Sequence, residues 1–279
     1  MPKINGTYVS LHKQTGRFPY PYYKGGLEFK NNEYYDFLIK NYFDDSPESY
    51  EIKGLAKTAG PNEIKEYIAE IETKFKDKIP EKSLMFTESN SAHHMTYFYV
   101  KELAGRLGEG EKLLIINFDQ HKDYGSPNGK FFCGSWGSYI SSAIGCDYVV
   151  VGAGKNGGII SIKSDGTERE YPVEELDNCL RERHSDCEKI YVTVDMDILT
   201  NSISLKRTNW GRGKMPPLCL RNILETLPAE KIISADITGF PPVNSQKLDN
   251  NLELLNSYVD DIRVIAELLY SLMGIAPYV

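Results

Sequence analysis

Histidine is scarce in this 279-residue chain: there are five, His12, His93, His94, His121 and His184. Any metal site must therefore lean on carboxylates. Cysteine is as sparse. Cys133, Cys146, Cys179, Cys187 and Cys219 are odd in number and form no CxxC pair. That argues against a disulfide framework or a cysteine zinc site and fits reduced thiols. No run is long and apolar enough to read as a membrane span. The opening MPKINGTYVSLHKQ lacks the apolar core of a secretory signal, so a cytoplasmic location with no membrane partner is expected. No repeat, low-complexity tract or linker divides the chain. Positive charge is not in excess either: 32 Lys plus Arg against 39 Asp plus Glu gives −7. This balance disfavours nucleic acid as a partner and leaves room for a cationic substrate or metal ions.

What is present is ordinary for a folded domain. The chain is 41% hydrophobic and 25% charged, which excludes a disordered, collagen-like or coiled-coil chain. Residues 1–50 are dense in aromatics, among them Tyr20, Tyr22, Tyr23, Tyr34, Tyr35 and Phe37. RFPYPYYKGG reads as a turn or extended loop, and NNEYYDFLIKNYF has helical spacing. Two readings of this density stay open: core and edge packing, or a surface that receives a peptide. A helix is expected over 61–79. Strands at 83–86, 112–118, 148–151, 190–194 and 231–235 then alternate with helices at 94–107, 136–144, 174–183, 220–227 and 252–273. Short apolar strands alternating with amphipathic helices indicate an α/β, doubly wound, three-layer sandwich with a mostly parallel sheet. Residues 1–279 are expected to form a single domain, with 1–80 as an aromatic-rich N-terminal elaboration.

In such sheets the ligand site lies beyond the carboxyl ends of the strands. After KLLIINF comes Asp119-Gln120-His121-Lys122-Asp123, where alternate side chains can converge. Hard divalent ions want oxygen ligands, and borderline ions accept imidazole as well. Alone, this DxHxD run is equally readable as a solvated charged turn. After KIYVTV comes Asp195-Met196-Asp197. Two adjacent anions at a buried strand end are costly unless a cation neutralises them. His93 and His94 follow the strand SLMF, and one of the pair can reach the same site. Asp236 ends KIISA and is placed to orient a ligand from behind. Together these groups suffice for a two-metal cluster, in which ions about 3.5 Å apart share a water and lower its pKa. Manganese or magnesium suits the carboxylate-rich set better than zinc.

The order of motifs resembles the arginase–agmatinase (ureohydrolase) family. There a His follows one strand, a DAHxD-type run the next, and a DxD pair a later one. The likeness spans roughly residues 83–275 and includes DITGFPP and TNWGRGKMPP. It implies an arginase-like fold and two Mn²⁺ per chain, held by His94, Asp119, His121, Asp123, Asp195 and Asp197. It also implies hydrolysis of a guanidino group, with Asp123 moving the proton and His121 beside it. Departures exist. Ser91-Ala92-His93-His94 stands where the family has a GGDH box. Cys133 falls near the family's substrate-loop histidine. Gly239 takes the place of a glutamate that grips the guanidinium.

The loop YGSPNGKFF, which carries Asn128, looks shorter than in enzymes for free arginine. With the aromatic N-terminus, this points by analogy to the peptide arginases, which convert arginine within a peptide to ornithine and release urea. The expected partner is an arginine-containing peptide or a small guanidino compound such as free arginine or agmatine. The family often forms trimers or hexamers, which leaves a homo-oligomer open.

Other residues carry two readings each. Glu88 is a substitute cation anchor or a helix-flanking charge. Cys133 is a small buried hydrophobe or a catalytic thiol. Trp136 and Tyr139 read as packing residues more than substrate contacts, and His12 and His184 as surface residues. Two rival functions remain. A metal-dependent deacetylase or amidohydrolase of the same fold would hold one Zn²⁺ and lack the guanidinium-binding glutamate. A non-enzymatic module would keep the ligands without turnover.

Overall fold

The apolar runs become strands buried along their length. Leu113–Phe118 (β4) and Asp147–Val151 (β5) are buried at every position. The computed structural model describes residues 7–10, 49–51, 60–79, 81–87, 90–125, 131–200, 213–239 and 252–275. The remaining strands are β1 (Thr7–Ser10), β2 (Ser49–Glu51), β3 (Leu84–Thr87), β6 (Ile159–Ile162), β7 (Glu168–Tyr171), β8 (Lys189–Asp195) and β9 (Ile232–Thr238). All lie in one sheet with the order β2-β1-β3-β9-β8-β4-β5-β6-β7. Pairing is parallel except for β5–β6 and β6–β7. Strands β8 and β9 return late in the chain to fill the gap between β3 and β4. Four strand ends far apart in sequence therefore lie side by side.

Alternation along each strand feeds two cores. Leu114, Ile116 and Phe118 face one side, and Leu113 and Ile115 face the other. The first side packs against α4 (Leu176–Arg183), α5 (Pro217–Leu224) and α6 (Leu252–Leu272). The second packs against α1 (Pro61–Phe75), α2 (Thr96–Ala104) and α3 (Trp136–Ile144). This is a three-layer sandwich. In α1, Ile64, Tyr67, Ile71 and Phe75 form the buried stripe. Its amino end is closed by the Gly60 N–H donating to Glu63 Oε2 at 2.7 Å. Ile116 is fully buried, so Ile116→Ala would cost roughly 2–5 kcal/mol.

Several boundaries differ from the sequence reading. The helix expected over 94–107 is a 3₁₀ turn, Asn90–Met95, followed by α2. The helix expected at 220–227 starts three residues earlier, at Pro217, whose missing N–H suits a first turn. The antiparallel pair β6 and β7 was not expected. Strands β1 and β2, from the aromatic N-terminal stretch, extend the sheet beyond β3. His12 and the segments 17–26 and 31–43 lie outside the described residues. Among the described residues, no helix is long and apolar enough to cross a membrane.

Candidate metal centre

The two-residue spacing of the acidic motifs has a local cause. The Asp119 carboxylate accepts the backbone N–H of His121 at 2.7 Å, and Asp195 accepts that of Asp197 at 2.9 Å. Each motif thus folds as an aspartate turn, in which the side chain caps the backbone two residues on. The chain leaves the strand while both acidic groups stay at its end. Strands β4 and β8 are parallel neighbours, so the two turns face each other.

His93 completes the cluster from the 3₁₀ turn after β3. Its Nδ1 lies 3.2 Å from Asp119 Oδ2, 3.0 Å from Asp123 Oδ2 and 3.5 Å from Asp195 Oδ2. On the other side, His121 Nδ1 lies 3.3 Å from Asp119 Oδ1 and 3.2 Å from Asp197 Oδ2. Two candidate ion-holding groups result: His93, Asp119 and Asp123, and Asp119, His121 and Asp197. Asp119 belongs to both, so the two positions are adjacent. The structure thus brings together Asp119, His121, Asp123, Asp195 and Asp197.

His94, expected among the ligands, stands outside both groups. Its Nε2 faces the Tyr67 hydroxyl at 3.3 Å, and its ring meets Phe131 edge-on at 5.4 Å. Consecutive side chains in a 3₁₀ turn diverge by about 120°, so one of two neighbouring histidines enters the site and the other enters the core.

Asp123 is held in place from several directions. The Trp136 indole N–H donates to its Oδ2 at 2.8 Å, and the Gly137 N–H donates to its carbonyl at 3.0 Å. Its own backbone has φ of 48°, the left-handed region that non-glycine residues rarely occupy. Trp136 is therefore both a fully buried packing residue and a partner of the site. Gly152, after β5, has φ of 114°, and a Cβ there would sit 2.7 Å from the Asp119 carbonyl. The close approach of that loop to the cluster requires glycine.

The charges are out of balance. Four buried carboxylates find, among the described residues, the imidazoles of His93 and His121 as ionic partners. Burial and the adjacent Asp119 charge push Asp123 up to about 7 and Asp197 up to about 6. Burial, Asp197 and Asp119 push Asp195 well above the usual carboxylate range. Burial also opposes charge on Asp119, but His121 and His93 outweigh it and hold that group low. Burial alone would lower His121, yet Asp119 and Asp197 drive it up to about 11. His93 Nδ1 and Asp197 Oδ1 are buried without a hydrogen-bond partner. A buried, oxygen-rich cluster in which carboxylates outnumber imidazoles and ligand atoms face a common centre fits hard or borderline divalent cations.

A cleft of about 330 Å³ opens over the cluster, lined by His121, Asp123, Asp195 and Asp197 together with Lys122, Tyr124, Phe132 and Cys133. Cys133 is thus a buried side chain in the cleft wall. Behind the cluster, Asp236 is fully buried and accepts from the Tyr191 hydroxyl at 2.7 Å and from Thr193 Oγ1 at 2.8 Å. Glu88 and Asn128 lie outside the described residues.

Thr193 and Asn117, unmarked by any motif, also reach the cluster. Thr193 Oγ1 is 2.9 Å from His93 Nε2, and Asn117 donates to the Tyr148 hydroxyl at 2.8 Å. Their signal was present: each is a polar residue inside an apolar strand, two positions before a site aspartate and so on the same face. His184, expected at the surface, is not there. It is buried, with Nδ1 2.9 Å from Asp147 Oδ2 and Nε2 2.8 Å from Ser161 Oγ.

Comparisons with known proteins bear on this geometry. No protein-family model matches the chain. An uncharacterized protein of Thermotoga maritima is 28% identical over 182 residues, which span 62% of this chain and 66% of that relative's length. Among solved structures, the arginase of Bacillus subtilis superposes with a TM-score of 0.56 at 15% identity, covering 98% of this chain and 99% of that one. The proclavaminate amidino hydrolase of Streptomyces clavuligerus gives 0.56 at 12% identity, covering 99% and 94%. The formimidoylglutamase of Bacillus subtilis gives 0.52 at 13% identity, covering 100% and 89%. Likeness over whole chains at such low identity is a statement about architecture: the chain has the arginase–agmatinase fold.

Proposed function

We propose that this chain is a two-metal hydrolase of the ureohydrolase type, cleaving a C–N bond in the guanidino group of an arginine side chain. The observation that carries this reading is the cluster of four buried carboxylates, with buried His93 and half-buried His121, beneath the cleft. His93, Asp119, Asp123 and Asp195 would hold one ion, and Asp119, His121 and Asp197 the other. Two Mn²⁺ ions suit this oxygen-rich set. When bound, they supply a water acidified to react near neutral pH and positive charge beside the reacting carbon.

The chain's own residues do the rest. Asp123 is fixed by the Trp136 indole and lines the cleft. It takes the proton of the attacking water and returns it to the leaving amine. Tyr124 and Phe132 offer aromatic walls to a planar cation. Urea and an amine are the products, ornithine where arginine is the substrate. The chain's shortened YGSPNGKFF loop and aromatic N-terminal sequence favour arginine within a peptide over the free amino acid.

The test is urea release from an arginine-containing peptide, free arginine and agmatine, each with Mn²⁺, beside a metal-content measurement. Peptide turnover with two ions per chain is expected. Absence of urea from all three would overturn the reading, and one zinc per chain with amide turnover would replace it by a deacetylase.

A further inference from the structure

Beneath the carboxylates lies a row of buried polar side chains. Asn117, Thr193 and Asp236 occupy registered positions on the adjacent strands β4, β8 and β9. Each is fully buried, and the registered positions on either side of the row are the buried apolar Met85 and Val150. A polar row inside a core is expensive unless its members satisfy one another. Thr193 and Asp236 do so, and they reach His93.

The direction of the hydrogen bonds can be counted. Thr193 has one hydroxyl proton, and Asp236 Oδ1 takes it at 2.8 Å. Asp236 Oδ2 takes the Tyr191 proton at 2.7 Å. With its proton spent, Thr193 Oγ1 can only accept from His93 Nε2 at 2.9 Å. His93 Nε2 therefore carries a hydrogen, and Nδ1 is the nitrogen turned toward Asp119, Asp123 and Asp195.

We propose that Thr193 and Asp236 are positioning residues that fix the His93 tautomer and ring orientation, presenting Nδ1 as a ready-made metal ligand. This rests on the reading of His93 as a ligand. The chain is a carboxylate–hydroxyl–imidazole relay, and the hydroxyl is its decisive link. Valine at 193 keeps the shape and β-branching but removes both hydrogen bonds. His93 Nε2 then loses its acceptor and Asp236 loses one donor. The imidazole is free to flip or to place its hydrogen on the ligand nitrogen. Serine at 193 restores the hydroxyl without the methyl group.

Co²⁺ titration of the full chain, followed by its visible absorption bands and by competition with a chelating dye, tests this directly. Thr193→Val is expected to weaken Co²⁺ binding about 10- to 100-fold and to change the band positions. Thr193→Ser is expected to recover most of both. Melting of the metal-free proteins establishes that each variant is folded. Valine binding Co²⁺ as the parent does, or serine failing as valine does, overturns the relay while leaving the metal centre standing. A parent chain that binds no Co²⁺ removes the metal reading and the relay together. A measurement on the unaltered chain covers the case in which valine does not fold. In the Zn²⁺-loaded protein, nitrogen-15 spectra of His93 should show hydrogen on Nε2, and hydrogen on Nδ1 would overturn the proposal.

Discussion

His184 Nδ1 and Asp147 Oδ2 meet at 2.9 Å beside the amino end of β5, and His93 Nδ1 and Asp123 Oδ2 meet at 3.0 Å beyond the carboxyl end of β4. Both pairs are buried histidine–aspartate contacts in one sheet. Their surroundings differ in one respect. At the amino end a cation is already built in: Lys163 Nζ lies 2.6 Å from Asp147 Oδ2, and the Ser164 N–H donates to Oδ1 at 2.8 Å. Burial would raise the Asp147 pKa, but His184 and Lys163 outweigh it and hold the group well below the usual carboxylate range. At the carboxyl end burial and Asp119 push Asp123 up to about 7. One pair is a settled structural clasp. The other is part of a charge deficit that the protein's own residues leave open, which is what a metal centre requires. Cys187 Sγ, 3.6 Å from Asp147 Oδ2, gives the first pair a ligand-like look, but Lys163 already supplies the cation there.

The largest effect should come from Asp123→Asn. Urea release should fall by about 10³-fold. The metal-free variant should melt no lower than the parent, because one of several mutually repelling buried carboxylates has become neutral. The asparagine oxygen can still accept from Trp136. A clear loss of metal-free stability would mean that the carboxyl-end cluster is structural, and the contrast between the two ends would collapse.

Asp147→Asn should do the reverse. Removing the charge takes from Lys163 its nearest carboxylate, leaving it Asp186 and the Arg183 carbonyl, and breaks a buried network, at about 3 kcal/mol. For a chain of this size that corresponds to a fall in Tm on the order of 10 °C. Co²⁺ or Mn²⁺ affinity should stay at the parental value, since Asp147 touches no candidate ligand of the cleft. Altered metal stoichiometry would show that ions also bind at the amino end.

The same pair gives a signed pH prediction. Because the folded pKa of Asp147 is depressed, its stabilisation is fully present above the unfolded value of about 3.9 and is lost as pH falls through the folded one. The stability gap between the parent and Asp147→Asn should therefore be constant from neutral pH down to about 5 and then shrink. A gap that instead widens on acidification contradicts the assigned direction.

The contrast also marks how far the sequence was legible. Apolar runs such as KLLIINF and KIYVTV read directly as buried strands, because periodicity and burial leave one option. The acidic exits of β4 and β8 read as a site because two of them coincide in one chain. The amino-end clasp was not legible. Asp147 opens a strand as a turn residue would, and His184 ends a helix with no motif around it, so only the fold joins them. Strands β6 and β7 were missed for a similar reason: IISI and EREY are short, and the pairing of both is antiparallel and at the sheet's edge. Asp236 was read as standing behind the site, whereas Thr193, the link between it and His93, is a single polar letter in an apolar run.

The His93–His94 step repeats the comparison at its smallest scale, since adjacent residues face a charge deficit and a settled aromatic core. His94 Nε2 is 3.3 Å from the Tyr67 hydroxyl, near the long limit for a hydrogen bond, and Phe131 stands edge-on to its ring. His94→Phe keeps an aromatic ring among aromatic neighbours. It should lower stability by about 1 kcal/mol, the net worth of one ordinary hydrogen bond. Metal stoichiometry and affinity should be unchanged. His93→Phe should lose one of the two proposed ions, because it removes the imidazole that, among the described residues, faces Asp119, Asp123 and Asp195 together. If His94→Phe loses an ion while His93→Phe keeps both, the 3₁₀ turn presents the other histidine to the carboxylates, and the ligand set returns to the one that the motif order implies.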